Sequence, residues 1–356
     1  MFNVSTGWAQ RSLDQAVLHT TQGVQRWSVA TPTLPPGQRI VATSYVSADS
    51  ARVLAAGGVS SNPDAAAVTM TFNAWATDDG GAHWSRGGSF SLVQDPGLTL
   101  SWQDELDYVN AADGWFSGNV DGTDGSLGTT LFRTVDGGVS WKEMAHLPQS
   151  PAPPGGVPCY AEATATFASP TMGWLVGGCA KANFEVTRNG GATWSPHRIP
   201  RLTTPYLGLE NPTFITSWDG VMLGTVPRPE SLVVYATLDG GQKWTAHPAP
   251  GQWPHALDFI NTDDGWLLSS NTMNAGFPAG LYVTHDGGQT WSTLQALDYG
   301  AIPAGGTVLN GSILDFVSPT LGWTNSFTGD GNVLLQTTDS GHTWSPVDVQ
   351  ITGSSG

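Results

Sequence analysis

"TLDGGQKW", Thr237 to Trp244, decides the fold because it is one of a series. With Thr-x-Asp-Gly-Gly-x-x-Trp as the template, "TDDGGAHW" starts at Thr77, "TVDGGVSW" at Thr134 and "TRNGGATW" at Thr187. "THDGGQTW" follows at Thr284 and "TTDSGHTW" at Thr337, and a worn copy, "TTQGVQRW", starts at Thr20 with Gln22 in place of the aspartate. The starts lie 47 to 57 residues apart, and seven copies at that spacing account for nearly all 356 residues. Self-similarity at such a period marks a repeat architecture, in which one supersecondary unit is stacked several times.

A second motif keeps step with the first. "STGW", "ADGW", "TMGW", "DDGW" and "TLGW" place tryptophans at Trp8, Trp115, Trp174, Trp266 and Trp323, and two repeats carry worn versions, "SARVLAAGG" and "WDGVMLG". Each Gly-Trp follows a short apolar segment such as "LDYV", "LDFI" or "LDFV". The segments are short, rich in β-branched and aromatic residues and bounded by Gly, Pro, Asn and Asp, which is a strand signature. No segment sustains a helical period. Each repeat therefore reads as strand, tight turn, Gly-Trp strand, loop, strand, box, strand. Four antiparallel strands repeated at about 50 residues describe propeller blades, whose ring leaves only short, protected sheet edges. The expectation is an all-β, seven-bladed β-propeller forming a single domain over 1–356. Its blades run at about 1–35, 36–92, 93–148, 149–200, 201–250, 251–300 and 301–352.

The boxes resemble the Asp-box, or bacterial neuraminidase, repeat. Combined with the Gly-Trp turns, they look most like the photosystem II stability and assembly factor-like propellers. The resemblance covers the whole chain and implies the fold. It does not select a function, because Asp boxes occur in sialidases, other glycosidases, sorting receptors and non-enzymatic assembly factors alike.

The box itself reads as a turn. An aspartate can accept backbone N–H bonds inside its own turn, and the glycines supply positive φ. The tryptophan covers the hairpin between third and fourth strands with a large apolar area. A catalytic aspartate is needed once, not around a whole ring, and Asn189 and Gln22 show that the carboxylate is dispensable. Twelve of the 16 tryptophans belong to boxes or Gly-Trp turns, where packing between blades explains them. Trp75 lies inside a third strand and Trp218 in a worn turn, which leaves Trp102 and Trp253 as informative.

The short turns and boxes share one end of the blades. The long, irregular connections, such as "SLVQDPGLTLSWQDE", "PQSPAPPGGVPCYAE" and "PRLTTPYLGLEN", share the other, and variable loops on a rigid scaffold are where binding is usually placed. Trp102, Asp104, Glu105, Tyr160, Glu162, Tyr206, Glu210, Trp253 and His255 fall just before first strands and are expected to ring the mouth of a central channel. Within the first strands, Ser44, Asp107, Thr166, Thr213, Asp258 and Asp315 align as polar positions beside a core aromatic. They read as a solvated channel wall or, alternatively, with Asp107, Asp258 and Asp315, as a cation or sugar site built from oxygen ligands. Arg198, Arg201 and Arg228 lie near the fifth blade on the same loops. "RIP" at Arg198 resembles the sialidase arginine motif but stands in the wrong repeat, so three surface arginines and a carboxylate-binding triad are both open.

Composition narrows the partners. A net charge of −16, with 13 Lys and Arg against 29 Asp and Glu, argues against nucleic acid and anionic membrane surfaces. No apolar run is long enough to insert into a membrane. The 8 histidines show no metal-ligand spacing, and no metal, cofactor, phosphate loop, dinucleotide motif or Ser-His-Asp set is expected. Cys159 and Cys179 flank the tight turn of the fourth blade almost symmetrically. They are expected to pair as a disulfide, the alternative being two buried thiols. A bond would place the protein outside the cytoplasm, with Met1 standing after a removed leader and the closing "GSSG" as an appended tail. The functional expectation is a monomeric, non-enzymatic binding or assembly scaffold that recognises a protein or glycan through the long-loop face. The alternative is a glycoside hydrolase using rim carboxylates such as Asp104 or Glu105 with Glu162 or Glu210.

Overall fold

The computed structural model describes residues 1–11, 14–57, 68–94, 105–121, 127–148, 164–177, 183–199, 208–210, 212–227, 230–270, 280–295, 313–328 and 331–353. Those residues form 29 strands in seven antiparallel sheets, and the fold is a seven-bladed β-propeller. The first sheet joins β1 (Gly7–Gln10), β2 (Val17–Thr20) and β3 (Arg26–Val29). The second runs β4 (Gln38–Tyr45), β5 (Ala51–Gly57), β6 (Val68–Thr77), β7 (Ser85–Gln94), and the third β8 (Glu105–Tyr108), β9 (Gly114–Asp121), β10 (Leu127–Thr134), β11 (Lys142–Pro148). The fourth holds β12 (Thr164–Phe167), β13 (Gly173–Gly177), β14 (Asn183–Thr187) and the two-residue β15 (Ser195–Pro196). In the fifth, β16 (Gly208–Leu209) and β17 (Thr213–Phe214) both pair with β18 (Gly220–Pro227), followed by β19 (Glu230–Thr237) and β20 (Thr245–Ala249). The sixth is β21 (Trp253–Phe259), β22 (Asp264–Ser270), β23 (Gly280–His285), β24 (Ser292–Gln295). The seventh is β25 (Leu314–Phe316), β26 (Gly322–Thr328), β27 (Gly331–Thr337), β28 (Ser345–Pro346). Finally β29 (Gln350–Thr352) returns to the first sheet beside β3.

Residues 1–6 form a turn, with the Phe2 and Asn3 amides donating to the Thr6 carbonyl. Asn3 stabilises it by accepting the Ser5 and Thr6 amides, as an Asx turn does. Residues 350–352, placed in the seventh blade by the sequence reading, form a short exposed strand at the edge of the first blade's sheet, beside β3. The first strand of the fifth blade is broken in two.

Strand formation follows the alternation in the sequence. "ELDY" of β8 and "TATF" of β12 alternate half-buried and buried side chains, so every second residue faces packed protein. The chain divides into two compact units. One comprises Met1–Thr6, Thr21–Trp27 and Ile199–Gln350, and its core includes Trp266, Leu281, Leu314, Phe316 and Leu335. The other comprises Gly7–Thr20, Ser28–Arg198 and Ile351–Gly356, and its core includes a ring cluster of Phe72, Phe90, Phe116 and Phe132.

The boxes occupy the connections between third and fourth strands, as β6 ends at Thr77 and β7 begins at Ser85. Six of them repeat one hydrogen-bond set. In the fifth blade the buried Thr237 hydroxyl donates to Asp239 Oδ1 at 3.0 Å and accepts the Gly241 amide at 2.9 Å. Asp239 Oδ1 also accepts the Lys243 amide at 2.8 Å. Both glycines sit at positive φ, 69° and 77°. In the fourth blade Asn189 Oδ1 makes the same bonds to Thr187 and Thr193, so a neutral amide serves as well as a carboxylate.

Candidate functional site

The aligned polar row of the first strands is the expected channel wall, with a cation or sugar site as the alternative. The structure shows what its carboxylates touch. Asp107 Oδ2 accepts the backbone N–H of Phe167, in the next blade's first strand, at 2.7 Å. Asp258 Oδ2 accepts that of Phe316 at 2.5 Å. Ser44 Oγ does the same for the Tyr108 amide at 3.1 Å, and Asp315 binds the Met1 nitrogen. Ser44, Asp107 and Asp258 thus clamp the first strand of the blade that follows.

The Gly-Trp tryptophans complete these seams. Trp115 stacks on Phe167 with centroids 3.7 Å apart, and its indole N–H donates to the Gly190 carbonyl in the neighbouring box. Trp266 stacks on Phe316 at 3.8 Å and donates to Ser340 O. Gly265, before Trp266, is required because the Phe259 ring lies across it, and any Cβ there would stand 2.6 Å from Cδ1. In the second blade the motif is worn and Arg52 stands where the tryptophan would be. It is buried, donates to Thr77 O and Ala111 O, pairs with Asp78, and lies over the Tyr108 ring. An arginine therefore replaces the indole with the same reach into the next blade.

The clamping carboxylates are electrostatically unusual. Burial pushes Asp107 up to about 6, opposed only by the Phe167 amide. Burial likewise pushes Asp258 to about 6, against the Phe316 amide, with Asp315 adding repulsion. The box aspartates move the other way. The His83 amide and ring hold Asp79 at about 2, and the Thr343 hydroxyl and amide hold Asp339 at about 2. The alternative reading of the row as a cation site gains no support. Two of its three carboxylates accept backbone N–H groups, and the described residues contain no cluster of three or more His, Cys, Asp and Glu able to hold a metal.

Of the rim residues, Trp102, Asp104, Tyr160, Glu162, Tyr206, Arg201 and Arg228 lie outside the described residues, as do Cys159 and Cys179 and the disulfide expected of them. Glu105 opens β8, and Arg198 is exposed after β15. Trp253 and His255 sit within β21 rather than before it. The register shifts between Pro254 and Ala256, which leaves His255 as an extra residue. His255 Nε2 lies 3.0 Å from Ser270 Oγ, and partial burial lowers its pKa, so the ring is neutral at neutral pH. The Glu210 amide donates to Leu223 O, and its side chain remains accessible while surrounding protein raises its carboxyl. Glu210, Trp253 and His255 supply an acid, an aromatic face and a neutral imidazole on consecutive blades of one compact unit. With Glu105 and Arg198, they are the residues of the expected loop-end rim that are described. The seams were missed because the sequence shows polar residues next to aromatics without showing which backbone lies opposite. The recurring pairs "SY", "DY", "TF" and "DF" at the ends of first strands were the available signal.

A BNR/Asp-box repeat model matches residues 282–293, which carry the box of the sixth blade. That box geometry recurs in six of the seven blades, so the chain is a seven-bladed β-propeller that carries Asp-box repeats. No curated protein matches this Asp-box propeller by sequence. Among solved structures it is similar to YCF48 bound to a D1 peptide, at 17% identity over 88% of this chain and 84% of that one, with a TM-score of 0.52. It is also similar to the GH74 xyloglucanase of Xanthomonas campestris, at 14% identity, 95% and 50% coverage and a TM-score of 0.60. The GH74 enzyme of Niastella koreensis gives 14% identity, 96% and 53% coverage and a TM-score of 0.54. The Asp-box propeller spans about half the length of these two enzymes. At such identities the likenesses establish the fold.

Proposed function

We propose that this propeller is a non-enzymatic, monomeric binding scaffold acting outside the cytoplasm, which recognises a protein segment or glycan through the long-loop ends of its blades. The observation that carries this reading is the engagement of Asp107 and Asp258 with the amides of the following blade. These carboxylates, raised towards neutrality as a general acid would be, have a structural partner instead of an open face. The loop-end groups that remain, Glu210, Trp253 and His255, suit recognition by stacking and hydrogen bonding. A fold relative of similar length, YCF48, was solved with a peptide bound, which supports a peptide segment as one ligand class. Glycoside hydrolysis remains the second reading, because GH74 enzymes share the fold.

Two assays separate them. Incubation with xyloglucan oligosaccharides and sialyllactose should release no reducing ends above buffer, while array-bound peptides or glycans should be retained and lose at least about tenfold affinity with Trp253→Ala. Turnover that disappears in Glu210→Gln would replace the scaffold by a hydrolase. The proposed location rests on Cys159 and Cys179. Thiol titration of the denatured, unreduced protein should find none free, and two free thiols would remove the case for an oxidising compartment.

A further inference from the structure

At the turn end of the fifth blade lies an aromatic surface that the fold does not require. Trp218, in the turn between β17 and β18, is 61% exposed, and Leu238, the second residue of the box that opens on β19, is 71% exposed. Turn and box are tied by the Gly240 amide, which donates to the Trp218 carbonyl at 2.8 Å. The indole rests against Gly240, and a Cβ placed there would lie 3.5 Å from ring Cε3 and 3.9 Å from Cζ3. One side of the ring is therefore braced by backbone, and much of the rest stays in water.

The same turn-to-box bond is accepted in other blades by the carbonyls of Asp49, Ala112, Thr171, Asp263 and Thr320. Small or polar residues thus do the structural work of this position, and none of them is aromatic. A braced, exposed tryptophan beside an exposed leucine has the composition of an interface anchor.

The polar groups nearby decide what it anchors. The Thr216 hydroxyl donates to Asp219 Oδ2 at 2.8 Å. Asp239 Oδ1 accepts the Thr237 hydroxyl and the Lys243 backbone N–H, and Gln242 Nε2 donates to the Asp239 carbonyl at 3.1 Å. A sugar site needs directional donors and acceptors converging beside the ring. Here those groups are engaged within the turn, leaving apolar area and the chain's negative charge, −16 overall.

We propose that Trp218 and Leu238 anchor a protein-docking surface, distinct from the loop-end site, whose partner presents a protruding aliphatic or aromatic side chain flanked by Lys or Arg. Apolar contact supplies the affinity, and charge complementarity steers the approach.

The test selects peptides from a random display library against the full chain and measures their affinity by fluorescence polarisation. The enriched peptides should pair an apolar anchor with basic neighbours. Their affinity should fall at least about tenfold in Trp218→Ala and in Leu238→Ser. Val139→Ser, which removes an equally exposed apolar side chain from another box, should bind as wild type does. All three positions are solvent-exposed, so thermal melts should match wild type; should Trp218→Ala fail to fold, Leu238→Ser decides alone. Selected peptides that bind both anchor variants undiminished, or the absence of any enriched peptide, would overturn the proposal. So would a xyloglucan oligosaccharide that quenches Trp218 emission, or a dimer of this chain that dissociates on Trp218→Ala.

Discussion

Asp239 and Asp258 are the same residue type in opposite electrostatic settings. Asp239 is drawn down: burial is the largest single influence and raises it, but the Lys243 amide, the Thr237 hydroxyl and the Gln242 amide together outweigh that by bonding the charged form. Its removal in Asp239→Ala leaves the Lys243 amide and the Thr237 hydroxyl without their acceptor. Loss of such a capping side chain costs about 0.5–2 kcal/mol, to be read from urea unfolding. An unchanged unfolding midpoint with lost ligand binding would mean that the box is a site after all. The box role was legible from the sequence, because the Asn189 copy already implied a turn in which charge is optional. The Asp258 role was not, because its partner is a backbone amide 58 residues away. Tertiary hydrogen bonds to backbone carry no residue-type signature at the accepting distance.

The seam between two blades is the element that turns repeats into a fold. A first-strand Asp or Ser holds the next first strand by its backbone, and the Gly-Trp indole stacks on the aromatic of that strand. Trp266, fully buried, combines a stack on Phe316 with a bond to Ser340 O. Trp266→Ala removes both and opens a cavity, with an expected loss of about 3–5 kcal/mol. Differential scanning calorimetry should show that loss without a change in the far-ultraviolet β signal. A variant that melts with wild type would show that the seam is held elsewhere. The Gly-Trp spacing made the strands predictable, and the tryptophans' packing role followed from their number. That Arg52 fills the indole's place in the second blade was hidden, since an arginine in a strand reads as a surface residue until its partners Thr77, Ala111 and Tyr108 are seen.

For the whole molecule, seven registered boxes were enough to give the seven-bladed propeller. The return of β29 to the first sheet was not foreseen, because "QIT" is too short to carry a pattern. The loop-end site was legible only as a region. Its residues were chosen by position in the repeat, and of them Glu105, Arg198, Glu210, Trp253 and His255 lie among the described residues. The central claim is that the acidic residues that most resemble a site, in boxes and first strands, are structural. Their opposite shifts make it testable by pH. The box carboxylates, lowered to about 2 at Asp79 and Asp339, contribute stability that is present above about pH 4 and lost as the pH falls towards 2. Asp107 and Asp258, raised to about 6, contribute in the other sense, because the folded state takes up protons first. Stability is therefore highest near pH 4 from these two groups and declines as the pH rises through 6. The decisive measurement is urea unfolding between pH 4 and 7.5 of wild type and of the Asp107→Asn, Asp258→Asn double variant, whose amide oxygens can still accept the Phe167 and Phe316 N–H groups. The variant should lose the decline between pH 4 and 6 and be more stable than wild type at pH 7.5, by roughly 1–3 kcal/mol. A variant with the wild-type pH profile, or one less stable than wild type at pH 7.5, would contradict the central claim.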